Sequence, residues 1–430
     1  MSKLQELINK LCPNGVEFKP LGEVFEMRNG YTPSKNNPDF WEGGTIPWFR
    51  MDDIRENGRI LSDSIQHITP SAIKGKGLFE ANSFILATTA TIGEHALIIA
   101  DSLANQQFTN LKVRKSLSNL LVTKFIYYYM FIVDDFCKRN TNVSGFASVD
   151  MDKLKKMPFP VPPIEVQEEI VRILDSFSDY AAELQAELQA RKQQYEYYRN
   201  LLLTFNPSAY GCGTDDEQKD GVTTWEGHNY KIEWKKMGEI GTFIRGKRFV
   251  RTDIMEQGVP CIHYGDMYTY YGLYTNNTPT FLKEEKAQKM RFAQKNDIVI
   301  VAAGENKDDL GNAVAWLGEK PAAVHDACFI FRSNLYPNYI SHICRSHNYH
   351  KQIKMFANEA KICSVSGQDL QKVLIPVPEY ELQIKIASIL DRFETLVNDL
   401  TNGLPAEIAA VKDQYEYYRN KLLTFKKLSA

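Results

Sequence analysis

This 430-residue sequence is short of the features that mark the simplest classes of protein. No apolar run is long enough to span a bilayer, and Met1 to Lys10 has neither the basic start nor the apolar stretch of a secretory signal. A cytoplasmic location with no membrane partner is therefore expected. The seven cysteines are odd in number and include no Cys-x-x-Cys pair, which favours reduced thiols over a disulfide framework or a thiolate zinc site. His342, Cys344, His347 and His350 come nearest to a metal cluster. Their spacing fits no standard zinc pattern, so they are expected as surface positions of a helix, with no metal.

Charge of one sign is also scarce. The net charge is -2, and Lys plus Arg against Asp plus Glu is 17 to 16 over residues 16–163 and 19 to 15 over 232–378. Either segment alone is at best mildly basic, so DNA binding by this chain would be modest and lean on a partner. Catalytic signatures are missing as well. Asn37-Pro38-Asp39-Phe40 lacks the second proline that a DNA amino-methyltransferase needs to grip a flipped base, and Gly75-Lys76-Gly77 is too short for a phosphate loop. The carboxylates form no spaced cluster that suggests a nuclease, and an enzyme acting by itself is not expected.

What the chain does contain, it contains twice. Gln194-Tyr195-Glu196-Tyr197-Tyr198-Arg199-Asn200-Leu201-Leu202-Leu203-Thr204-Phe205 returns at Gln414 to Phe425 with one substitution, Leu201 to Lys421, at an offset of 220. Val16 to Val24 matches Ile232 to Ile240 at an offset of 216. Pro160-Val161-Pro162 and Pro376-Val377-Pro378, Gln167 and Gln383, Leu174-Asp175 and Leu390-Asp391, and Phe177 and Phe393 keep that offset. Between Tyr31 and Lys156 the two halves share almost nothing. Similar ends around dissimilar middles suggest one frame carrying two different readers.

The matched ends read as helices. Val166, Ile170, Ile173, Leu174 and Phe177 share one helical face, as do Leu382, Ile386, Ile389, Leu390 and Phe393. The first seam runs on through Leu184, Leu188, Tyr195, Tyr198 and Leu202 in alternating steps of four and three, predicting one helix from Ile164 to about Phe205. The second runs through Leu404, Ile408, Val411, Tyr415, Tyr418 and Leu422 with one extra step of four. A break is expected there, with Gly403 ending one segment and Pro405 starting the next.

The middles read as mixed α/β. Strands are expected at Ser83 to Thr88, Ala96 to Ile99, Asp297 to Ala302, Ala313 to Leu317 and Cys328 to Phe331, and helices at Lys124 to Phe136 and Tyr339 to Ala357. Residues 206–231, rich in Gly, Asp and Thr, read as a linker. Loops in the middles interleave cations and aromatics. The first has Arg28, Tyr31, Lys35, Trp48, Arg50 and Arg55; the second has Arg245, Lys247, Arg248, Arg251, His263 and Tyr264. Such residues bond phosphates and guanine edges, although a solvated charge or half-buried aromatic explains any one of them equally well. Gly30 aligns with Gly246, each beside basic residues, which singles out that loop.

On these residues the chain resembles the specificity subunits of type I restriction-modification systems over nearly its whole length. The Gly22-Glu23 and Gly238-Glu239 openings, the Pro-rich exits, Ile173-Leu174-Asp175, Ile389-Leu390-Asp391, Gly403 to Ile408 and both Gln-Tyr-Glu-Tyr-Tyr-Arg blocks carry the resemblance. It implies an α+β protein with internal pseudo-twofold symmetry, in which two mixed α/β target-recognition domains are joined by two long helices forming an antiparallel coiled coil. The corresponding boundaries are 1–163 and 232–378 for the domains, 164–205 and 379–430 for the helical regions, and 206–231 for the linker.

The resemblance also implies a non-catalytic subunit that reads an asymmetric, bipartite site on double-stranded DNA. Two methyltransferase subunits and two restriction/translocase subunits would supply adenine methylation and cleavage, with S-adenosylmethionine, ATP and Mg bound by those partners and no cofactor in this chain. Leu184, Leu188, Tyr195, Tyr198, Leu202, Val411, Tyr415, Tyr418 and Leu422 would serve the helix pair and subunit interface. In that family helix length sets the gap between half-sites, and Ala182 to Gln189, a tandem Ala-Glu-Leu-Gln repeat, lies where such a ruler would be adjusted. The competing readings are a coiled-coil scaffold with protein-binding domains, which predicts no DNA sequence preference, and a self-sufficient DNA-modifying enzyme, which predicts a catalytic motif.

Overall fold

The structure, a computed structural model, describes residues 3–75, 77–142, 147–205, 221–359 and 362–428. It resolves into two compact units, one made of Met1–Glu183 with Ile408–Ala430 and the other of Leu184–Glu407.

The first unit contains strands β1 (Glu17–Pro20), β2 (Phe25–Asn29), β3 (Ile46–Phe49), β4 (Ile60–Leu61), β5 (His67–Ile68), β6 (Ser83–Ala87), β7 (His95–Ile98), β8 (Leu103–Ala104) and β9 (Phe108–Val113). Helix α1 (Thr123–Arg139), strand β10 (Pro158–Val161) and helix α2 (Ile164–Thr204) follow. The main sheet has the order β2-β9-β6-β7-β4, a second sheet β5-β3-β8, and a short pair β1-β10. β6 and β7 are buried along their whole length, so their apolar runs carry no alternation. One face of the main sheet packs with α1 and the start of α2, where Phe25, Phe84, Phe125, Val166, Ile170 and Leu174 form one core with Leu423. A second core around Trp48, Phe49 and Phe108 joins the two sheets.

The second unit repeats this plan with strands β11 (Gly221–Trp225), β12 (His228–Lys236), β13 (Gly241–Arg245), β14 (Val259–Ile262), β15 (Tyr274–Thr275), β16 (Thr280–Leu282), β17 (Ile298–Val301), β18 (Ala313–Trp316), β19 (Ala322–Val324) and β20 (Cys328–Ser333). Helices α3 (Pro337–Ile343) and α4 (His347–Phe356), strand β21 (Leu374–Pro378) and helices α5 (Tyr380–Asn398) and α6 (Leu404–Leu422) complete the chain. The sheet β13-β20-β17-β18-β15 matches the main sheet of the first unit strand for strand, and β16-β14-β19 matches β5-β3-β8 with one added strand at each edge. Glu17 pairs with Val161 in β1-β10, and Glu233 with Val377 in β12-β21, so both exits keep the 216-residue offset in their register.

The residues that recur in the sequence recur as the same hydrogen bonds. Gln167, fully buried, accepts from Val122 N–H at 2.8 Å and donates to the carbonyls of Leu120 and Pro162 at 2.7 Å. Gln383 accepts from Tyr336 N–H at 2.9 Å and donates to Pro378 O at 2.8 Å. Asp175 accepts from Tyr128 and Lys124, and Asp391 is bonded by Asn338 and His342. In each case the partners stand four apart on one helical face, so one carboxylate holds two neighbouring turns.

α2 is one unbroken helix of 41 residues, begun after Pro162-Pro163 and ended where Phe205 turns left-handed at φ 48°. The expected break in the second copy is a turn over 399–403. Asp399 caps it by accepting from Thr401 and Asn402 N–H, and a Cβ on Gly403 would lie 2.4 Å from Thr395 O, so only glycine lets the turn close on α5.

Three expectations need correction. Residues 221–231 are not linker but a hairpin, β11 with the first part of β12, that extends the β12-β21 pair; 206–220 lie outside the described residues. Tyr339 to Ala357 is two helices, split where Ser346 caps α4. Of the four residues expected at the surface between His342 and His350, His347 is exposed, but His342 and Cys344 are fully buried and His350 is half-buried.

Candidate nucleic-acid interface

In each unit a loop leaves the edge strand of the main sheet and passes over the carboxyl end of a parallel strand pair. β3 pairs with β8 in parallel (Phe49 opposite Ala104), as β14 pairs with β19 (Ile262 opposite Val324). The crossing point is the aligned glycine. Gly30 N–H donates to Phe108 O and Gly246 N–H to Cys328 O, both at 2.9 Å. A Cβ on Gly30 would lie 2.3 Å from the carbonyl oxygens of Ala104 and Asn105; on Gly246, 2.1 Å from that of His325 and 2.5 Å from that of Val324. The glycine is there because backbone crosses backbone, a reason the sequence could not supply.

Around this crossing the first unit uses its candidates mostly for structure. Trp48 is 2% exposed, donates from Nε1 to Tyr31 O and sets its ring edge against Trp41, so the expectation that it meets a ligand is corrected: it is core. Tyr31 bonds Ala72 O and Lys74 N–H through its hydroxyl. Arg28 lies 4.6 Å over the Phe79 ring, and its burial lowers its pKa. Arg50 heads a short helix, its N–H bonded to Asp53, and its Nε is buried without a hydrogen-bond partner. Lys35 is exposed, and Arg55 is exposed beside Asp52 at 3.9 Å.

The second unit brings its candidates together. Arg245, which ends β13, and Lys247, Arg248 and Arg251 in the residues after it are all exposed. His263 and Tyr264, at the end of β14, cluster with Phe249 and His325; the His263 and His325 rings are 5.0 Å apart. Burial lowers the pKa of both histidines. Beside them an open depression of about 570 Å³ is lined by Lys247, Arg248, Lys283, Lys286 and Lys289 against two carboxylates, Asp253 and Glu285. Sequence reasoning missed His325 and the three lysines. In Lys283-Glu284-Glu285-Lys286-Ala287-Gln288-Lys289 the acidic residues cancel the count, and only the fold around the short helix at 284–287 brings the three lysines to one depression.

The tyrosine blocks act within each unit. Tyr418 stacks on Phe177 with centroids 5.5 Å apart and planes at 23°; Tyr198 stacks on Phe393 at 5.7 Å and 24°. Tyr415 meets the edge of Tyr128, and Tyr195 stacks on Phe393 with its hydroxyl 3.2 Å from His342 Nδ1. Leu184, Leu188, Tyr195 and Val411 are buried. Tyr198 and Tyr418, at 36% and 39% exposure, are not, and in the last turn Leu203 and Leu423 are buried while Leu202 and Leu422 are only half-buried. Tyr197 and Tyr417 are the most exposed tyrosines of the blocks, at 62% and 59%.

The sequence model of the family described as the type I restriction modification DNA specificity domain matches twice, over residues 13–191 and 230–410. The chain is 37% identical to the type I restriction enzyme EcoprrI specificity subunit of Escherichia coli, over 96% of this chain and 94% of that protein. It is 29% identical to the EcoR124I/EcoR124II specificity subunit of the same organism, over 99% and 98%. In fold it is similar to a chain from a solved structure on complex assembly and conformational transition of the type I R-M system, with TM-score 0.61, 16% identity and coverage of 96% and 98%. It is also similar in fold to the HsdS subunit from Thermoanaerobacter tengcongensis, with TM-score 0.53, 16% identity and coverage of 96% and 97%.

Proposed function

Since this chain belongs to the type I restriction-modification DNA specificity family, we propose that it reads an asymmetric, bipartite site on double-stranded DNA and directs adenine methylation and cleavage by partner subunits. The observation that carries the reading is the pair of family matches laid over one repeated frame, with different side chains at equivalent loops. Two unlike readers imply two unlike half-sites. In the second reader the depression of five cations suits backbone phosphates and the adjoining His263–Tyr264–His325 cluster suits base edges. In the first, the sequence candidates that remain as cations for DNA are Arg50 and the exposed Lys35 and Arg55.

The chain would be the non-catalytic member of its complex. Two methyltransferase subunits would dock on the repeated tyrosine blocks, where exposed Tyr197 and Tyr417 present the same aromatic edge twice, and two restriction/translocase subunits would join for cleavage. S-adenosylmethionine, ATP and Mg would be bound by those partners, in the cytoplasm. Among the described residues no helix is long and apolar enough to cross a membrane.

The test is binding of the methyltransferase complex to duplexes containing or lacking its site, with Lys247→Glu and Arg248→Glu. Loss of affinity on all sequences, with a salt slope reduced by about 1 per lost phosphate contact, is expected. A complex that binds every duplex equally in its unaltered form would return the scaffold reading to the front.

A further inference from the structure

Two tight turns occupy the same place in the two units. In the first, β8 ends at Ala104 and Asn105-Gln106-Gln107 lead into β9, closed by Phe108 N–H donating to Asn105 O at 3.2 Å. In the second, β19 ends at Val324 and His325-Asp326-Ala327 lead into β20, closed by Cys328 N–H donating to His325 O at 3.0 Å. The first residue of each is tied to the neighbouring parallel strand: Asn105 N–H to Phe49 O at 3.0 Å, His325 N–H to Ile262 O at 3.2 Å. Its side chain accepts from the backbone two residues on, Gln107 N–H to Asn105 Oδ1 at 3.0 Å and Ala327 N–H to His325 Nδ1 at 3.2 Å. Gly30 and Gly246 press on the carbonyls just before and within these turns.

The constraints are therefore the same, and the chemistry at the tip is not. Gln106 is exposed, its Oε1 accepting from the Thr32 hydroxyl at 2.5 Å, which orients the amide and leaves Nε2 pointing away from that bond. Asp326 has a side chain 36% exposed, with Oδ1 3.3 Å from His325 Nδ1. That nitrogen already accepts from Ala327 N–H, so in the neutral ring it has no proton to give and the carboxylate keeps its acceptor capacity. The residue before each tip is the one tied to the parallel strand, Asn105 to Phe49 O and His325 to Ile262 O, and the His325 ring lies 5.0 Å from that of His263.

We propose that the tips of these two turns are specificity-determining residues, Gln106 for one half-site and Asp326 for the other. This rests on the DNA-reading function proposed above. A glutamine amide matches adenine N6 and N7 bidentately, and a carboxylate accepts from cytosine N4; a turn fixed by three hydrogen bonds delivers either with little ordering left to do on binding.

The isosteric variants Gln106→Glu and Asp326→Asn test this in the full chain complexed with its methyltransferase subunit, with melting temperatures compared and methylated adenines mapped. Each variant is expected to relax or change one position of one half-site, discrimination there falling by about 5- to 150-fold, with the other half-site and the gap unchanged. If a variant complex methylates too weakly to map, competition binding against duplexes with single base changes reads the same quantity. Both variants keeping the discrimination of the unaltered complex at every position would overturn the proposal and leave the DNA-reading function standing. An unaltered complex that methylates with no motif at all would overturn the function instead.

Discussion

Replacing Gly246 with alanine puts a methyl group where no space exists. Its Cβ would sit 2.1 Å from His325 O and 2.5 Å from Val324 O, against an ordinary contact of about 3.4 Å or more, so backbone must yield by more than 1 Å. Overpacking against side chains costs about 1–3 kcal/mol. Here the obstacle is the carbonyl row that also receives Lys247 N–H at 2.9 Å, and breaking one such bond adds about 1 kcal/mol. Gly246→Ala should therefore destabilise the second unit by about 2–4 kcal/mol. Gly30→Ala, with Cβ distances of 2.3 Å to two carbonyls, should do the same to the first. Urea unfolding followed by hydrogen exchange would assign each loss to its unit. In the methyltransferase complex each variant should weaken recognition of one half-site. A Gly246→Ala protein within 0.5 kcal/mol of the parent would show that the crossing is looser than these distances require.

Other consequences are separable from that one. Gln167→Leu leaves Val122 N–H and the carbonyls of Leu120 and Pro162 without their partner and should cost about 2–4 kcal/mol in chemical denaturation, as should Gln383→Leu in the second unit. His350 is pushed down to about 4, chiefly by burial and then by Arg345, so the unfolded chain binds its proton first. That contribution to stability is intact above pH 6.5 and is lost as pH falls from 6.5 to 4, by about 3 kcal/mol at most; a His350→Leu protein should lack this acid slope. Deleting Ala186 to Gln189 takes about 6 Å from α2, nearly two base-pair rises, and should shorten the recognised gap while keeping both half-sites. Methylation at the original gap by the deletion variant would refute that.

Much of the frame was legible because duplication prints it twice. Gln167 and Gln383, Asp175 and Asp391, and Phe177 and Phe393 could be paired by offset alone, and each pair proves to hold an equivalent contact. The ends of α2 were readable from Pro163 and from a sustained apolar seam. The last turn was not: tertiary packing favours Leu203 and Leu423 over the residues that a strict four-three count selects. In the readers, where nothing repeats, single residues misled. Trp48 lies among cations in the sequence, yet it sits in a strand buried on both sides, and its indole N–H is satisfied by Tyr31 O. Lys283, Lys286 and Lys289 were hidden by intervening glutamates, and the role of Gly246 depends on a contact with His325, 79 positions away, that no local pattern encodes.

The proposed function has this chain supply DNA sequence specificity through two unlike readers. It is tested most directly by expressing the chain with its companion methyltransferase subunit in an unmodified host and mapping methylated adenines across the genome by long-read sequencing. One asymmetric bipartite motif with a fixed gap, absent when this chain is omitted, is the predicted result. A stable and active complex whose methylation follows no motif, or follows a symmetric one, would contradict it.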